Sequence, residues 1–129
     1  MNYEAFNEFC QSLTATSHVV QWGGSHVWKV GGKVFAIGGW EKAGNPAFTF
    51  KTSESDFLFL SDEPGYRPAP YFASRGMKWI QLCDMTLTDD DMLIHFLKKS
   101  YRVVSLGLTK KKQKELGVCP KIEIIAKES

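Results

Sequence analysis

The sequence predicts an α+β two-layer sandwich: an antiparallel sheet of about five strands with helices packed on one face. Three observations lead there. Apolar residues recur every three or four positions near both ends of the chain, as in amphipathic helices. They alternate every second position through the middle, as in half-buried strands. Consecutive strand-like segments are linked as hairpins, which pairs neighbours antiparallel.

Taken in order, Tyr3 to Leu13 carries Ala5, Phe6, Phe9 and Leu13 on one helical face, with Asn2 as N-cap and Glu4 in the first turn. Strands are expected over Val19 to Trp22, His26 to Val30, Lys33 to Trp40, Ala47 to Lys51 and Met77 to Cys83. Gly31-Gly32 supplies the positive φ values of a two-residue hairpin, so Val30 should oppose Lys33, Trp28 oppose Phe35 and His26 oppose Ile37. Glu41 to Pro46 reads as the next turn. Thr52 or Ser53 can cap a short helix through Phe57, Leu58 and Leu60, ended by the turn residues Ser61 to Gly65. Pro64, Pro68 and Pro70 then stiffen a loop without giving it regular structure. Thr88 to Asp91 is a capped, acidic helix start, and Leu93, Phe96, Leu97, Tyr101 and Val104 form that helix's apolar stripe up to Gly107. A short basic helix is expected from Thr109 to Leu116, with Gly117 and Pro120 closing it; Ile122, Ile124 and Ile125 in the tail suit an edge strand or a loose end.

A chain of 129 residues fits one domain, taken as residues 1–116 with a tail at 117–129. No apolar run approaches a membrane span and no basic-then-apolar leader opens the chain, so a cytoplasmic protein is expected. Cys10, Cys83 and Cys119 are odd in number and widely spaced, which fits reduced thiols better than disulfides or zinc ligands. The formal charge is only +2, but from Lys98 onward nine Lys or Arg face three Asp or Glu, against seven and eleven before it. That sidedness favours an anionic partner.

Several short motifs share an order and spacing. They are Val30-Gly31-Gly32-Lys33-Val34-Phe35-Ala36, the lysine Lys51 closing the next strand, Pro68-Ala69-Pro70-Tyr71 followed by Trp79, and Ser100-Tyr101-Arg102-Val103-Val104. Together they resemble the MmcQ/YjbR family over roughly residues 1–114. The resemblance implies a fold similar to the frataxin-like sandwich and a role as a "double wing" DNA-binding protein. This chain has Thr16-Ser17 where the family often carries Leu-Pro, and its tail beyond Gly117 has no counterpart. An iron-binding role would want a carboxylate-rich first helix, and Glu4 and Glu8 are too few; no metal or cofactor is expected.

Candidate binding residues fall into three groups. If Ile80 and Leu82 face the core, Trp79 shares the opposite, partly open sheet face with Lys29, Thr49 and Lys51, an aromatic among lysines suited to a base and its phosphates; the alternative is a Trp79 packed under a loop. Tyr66, Arg67, Tyr71, Arg75 and Lys78 can form a guanidinium and phenol cluster for an anion; the alternative is that Tyr71 and Phe72 anchor the loop while the arginines pair at the surface. Lys110, Lys111 and Lys112 form a basic run that steers nucleic acid, or else a solvated helix face. His18, His26 and His95 share no metal spacing, and no nucleophile, phosphate-loop or dinucleotide motif is present, so a non-enzymatic protein is expected. Cys83 and His26 have no spacing that supports a nucleophile and base pair. DNA is the expected partner, with a small anionic ligand or a protein partner as the competing reading.

Overall fold

The computed structural model describes residues 1–41 and 44–118. Its order is α1 (Tyr3–Ser12), β1 (Thr16–Gln21), β2 (Ser25–Val30), β3 (Lys33–Gly38), β4 (Phe48–Lys51), α2 (Glu54–Ser61), β5 (Tyr66–Pro68), β6 (Trp79–Leu82), α3 (Asp90–Leu106) and α4 (Lys110–Leu116). The strands form one six-stranded sheet, β1-β2-β3-β4-β6-β5, antiparallel throughout. The α+β fold is therefore as expected, with one strand more than the five read from the sequence. The extra strand is β5, inside the proline-rich loop. It lies at the sheet edge and pairs only with β6, where a missing proline N–H leaves no ladder bond unmade.

Local chemistry fixes the helix starts. Asn2 accepts from the Ala5 N–H, Ser53 from Asp56, Asp89 from Met92 and Thr109 from Lys112. The three aspartates at the start of α3 thus serve its cap and its positive dipole end. Gly117, at φ 71°, closes α4 in the left-handed region. Residues from Cys119 onward, where the tail strand was expected, lie outside the described residues, as do Lys42 and Ala43 in the turn before β4.

The core lies between the sheet and the helices. Phe6 and Cys10 of α1 and Leu93, Phe96, Leu97, Tyr101 and Val104 of α3 meet Trp28, Val30, Ala36, Phe48, Phe50, Ile80 and Leu82. The Phe96 ring stacks on Phe50 at 5.5 Å, and burial pushes the Cys10 thiol up well beyond its ordinary value.

The hairpin register differs from expectation at one point. Val30 opposes Lys33 as expected, but a bulge shifts the ladder, so Trp28 opposes Ala36 and His26 opposes Gly38. Phe35 becomes the extra residue, facing the core against Tyr101, and Ile37 moves to the far side of the sheet beside Val27. Ser100 of α3 explains why the bulge is tolerated. Its hydroxyl donates to the Phe35 carbonyl at 2.6 Å and accepts the Lys51 N–H at 2.9 Å, so the backbone groups freed by the irregularity are paired. Next to it, Tyr101 donates to the Thr14 carbonyl at 2.6 Å and ties α3 to the segment after α1. Among the described residues no helix is long and apolar enough to cross a membrane.

Candidate functional site

The alternation of β6 is as read from sequence: Ile80 and Leu82 enter the core, while Trp79 and Gln81 face away from it. Trp79 opposes Lys51 and Gln81 opposes Thr49, so Lys29, Thr49, Lys51 and Trp79 do share one face. That face is not open at its centre. Val27, Ile37, Thr49, Trp79 and Gln81 are all buried, with Trp79 only 4% exposed. Phe72 of the proline-rich loop stacks on Trp79 at 4.6 Å, which is the packed alternative rather than an exposed platform. Gln81 binds the rest of the cover. Its amide nitrogen donates to the Trp40 carbonyl at 2.8 Å, and its oxygen accepts from Arg67 Nε at 2.6 Å. Lys29, Lys51 and Arg67 are half-buried around this cover.

The expected phenol and guanidinium cluster does not assemble as a unit. Because Tyr66 and Arg67 are successive residues of β5, they point to opposite faces: Tyr66 enters the core and bonds Thr88, while Arg67 meets Gln81. Burial raises the Tyr66 phenol above its ordinary value. Lys78 precedes Trp79 and turns toward the helix layer, its ammonium 4.8 Å from the centre of the Phe57 ring. Tyr71 and Arg75 stay together. Phe72 does anchor the loop, but Tyr71 does not; it is 70% exposed.

What the loop builds instead is an open groove of about 660 Å³ lined by Trp22, Trp40, Tyr71, Phe72, Arg75 and Met77. Trp40 is its centre, with ring centroids 5.7 Å from Trp22, 5.5 Å from Tyr71 and 5.7 Å from Phe72. Trp22, Trp40 and Tyr71 all have positive φ, at 53°, 57° and 70°. A bulky residue in that region costs on the order of 1–3 kcal/mol and persists only where the surroundings hold it. Among the described residues, three of the four non-glycine positions with positive φ line this one groove. Sequence reasoning named Tyr71 and Arg75 but missed Trp22, Trp40 and Met77. The signal was present in Trp22-Gly23-Gly24 and Gly38-Gly39-Trp40, where each tryptophan adjoins a glycine pair that breaks its strand.

The basic run lies elsewhere. α4 packs beside the β2–β3 turn, where a side chain at Gly31 would meet Leu108 and Leu116, and Lys33 donates to the Gly107 carbonyl at 3.2 Å. Trp22 and Trp40 flank the other end of the same strands, so a hairpin length, roughly 17 Å, separates Lys110, Lys111 and Lys112 from the groove.

Cys83 donates to the Gly65 carbonyl beside β6, whereas His26 is on β2, near the opposite edge, so the two do not meet. His26 faces His18 instead, Nδ1 to Nε2 at 3.1 Å, and burial together with this neighbour lowers the pKa of His18. Among the described residues no three His, Cys, Asp or Glu side chains gather in a metal-binding group.

Fold and groove together define a class: a small two-layer α+β protein with an aromatic-lined groove built on the sheet face away from its helices. The sequence model of the YjbR family matches residues 11–103, and the chain belongs to the YjbR family. Its fold is similar to the crystal structure of Deinococcus radiodurans protein DR2400, a DUF419 domain, with TM-score 0.79 and 19% identity over 92% of this chain and 90% of that one. It is also similar to a Pseudomonas syringae protein solved by structural genomics, with TM-score 0.67 and 16% identity over 80% of this chain and 98% of the other. A comparison with curated proteins gives no significant match.

Proposed function

We propose that this YjbR-family protein acts in the cytoplasm by binding DNA and not by catalysing a reaction. The observation that carries the reading is the groove in which the exposed rings of Trp22 and Tyr71 adjoin Trp40 and Arg75. A ring face offers stacking to a base, and a guanidinium forks onto a phosphate. Lys29, Lys51 and Arg67 extend the positive surface on the same side of the sheet, and Lys110, Lys111 and Lys112 add charge that steers an anion without reading sequence. Titration of a labelled DNA at rising ionic strength tests this. Binding that weakens with salt is expected, and no binding at low salt overturns it. Turnover in an enzyme screen, lost on Cys83→Ser, would overturn the non-catalytic part.

The size of the groove favours a second reading, since about 660 Å³ lies within the range of small-molecule sites. On that reading the ligand is a small planar anion. Calorimetric titration with a nucleoside monophosphate separates the two: saturable binding of the mononucleotide as tight as that of DNA supports the small ligand.

A further inference from the structure

Resting on the DNA-binding reading, we infer that the groove takes an unpaired base, so that the protein's ligand is single-stranded rather than duplex DNA. A duplex hides its base faces in the stack and presents a rod of phosphates, which a protein grips with a row of cations. Among the described residues Lys29, Lys51 and Arg67 share the groove's side of the sheet, too few to grip such a rod along its length. Lys78 lies over Phe57 in the helix layer, Arg67 is engaged with Gln81, and Lys110, Lys111 and Lys112 sit at the far end of the β2–β3 hairpin.

Ring surface, by contrast, is concentrated. Trp22 is 49% exposed and Tyr71 70% exposed, on either side of Trp40. The three rings already touch, so a base lies over their outward faces and does not enter between them. Among the described residues Arg75 is the one charged side chain lining the groove, placed for the phosphate next to the stacked base. Every base has a ring face, so the site tolerates any sequence. Ring contacts with Trp40 hold Trp22 and Tyr71 in place before binding, which lowers the ordering cost of the encounter.

The test is fluorescence anisotropy with a labelled oligothymidylate and a duplex of equal length, at several salt concentrations. The single strand should bind more tightly, with a shallow salt dependence of about one to three phosphates neutralised. Tyr71→Ala and Trp22→Ala should each weaken single-strand binding by about 5- to 150-fold, the worth of one base stack, and Tyr71→Phe should restore it. Both side chains are exposed, so the variants should fold, and circular dichroism is the check. Equal or tighter duplex binding, untouched by either alanine, overturns the single-strand inference and leaves the DNA reading standing. If neither DNA binds at low salt, both fall.

Discussion

Replacing Gln81 by methionine isolates the contact that holds the aromatic cover on the sheet. Gln81 is fully buried, and its amide is used at both ends, by Arg67 Nε at 2.6 Å and by the Trp40 carbonyl at 2.8 Å. Methionine has nearly the same length and volume, so no cavity contribution enters. A hydrogen bond to a charged group is worth about 1.5–3 kcal/mol and a neutral one about 1 kcal/mol. Arg67 is half-exposed, and water replaces part of what it loses, so Gln81→Met should cost about 2–3 kcal/mol. Urea unfolding followed by far-ultraviolet circular dichroism measures this as a lower midpoint at unchanged slope. Gln81→Glu sharpens the attribution. The carboxylate still accepts from Arg67 but faces the Trp40 carbonyl without a donor, so tryptophan emission should shift in the native protein. A Gln81→Met variant within about 0.5 kcal/mol of the parent, with unchanged emission, would refute the claim that this amide holds the groove.

Ser100→Ala should lose about 1–3 kcal/mol, because the Phe35 carbonyl and the Lys51 N–H are both left unpaired at the bulge; denaturant unfolding checks it. Gly38→Ala should cost about 1–3 kcal/mol by overpacking, since the new methyl would sit 2.8 Å from the Phe6 ring, and thermal unfolding reads the loss. Burial, then the bond to Glu41, pushes the Tyr3 phenol from 10.0 up to about 12. Its contribution is therefore intact below pH 10 and lost as pH rises toward 12, which stability curves at alkaline pH should show and Tyr3→Phe should abolish. His18 works in the opposite sense. Burial and His26 lower its pKa, so the unfolded chain takes the proton more readily and stability should fall as pH drops below 6.5, less so in His18→Gln.

The sequence by itself determined what depends on neighbours along the chain. Asn2, Ser53, Asp89 and Thr109 cap their helices because each reaches a backbone N–H three residues on. Gly31-Gly32 turns the hairpin, and strict alternation puts Ile80 and Leu82 on one side of β6 and Trp79 on the other. Only the tertiary structure decided what depends on distant partners. The bulge at Phe35 relies on a hydroxyl 65 residues away. The strand at Tyr66–Pro68 exists because β6 offers it an edge. Trp79, exposed by alternation alone, is buried because Phe72 and the Gln81-bound Trp40 segment fold across it. The same folding brings Trp22, Trp40 and Tyr71 from three separate turns into one groove. Alternation assigns a residue to a face, but whether that face meets water depends on loops whose path is set by long-range hydrogen bonds and ring packing.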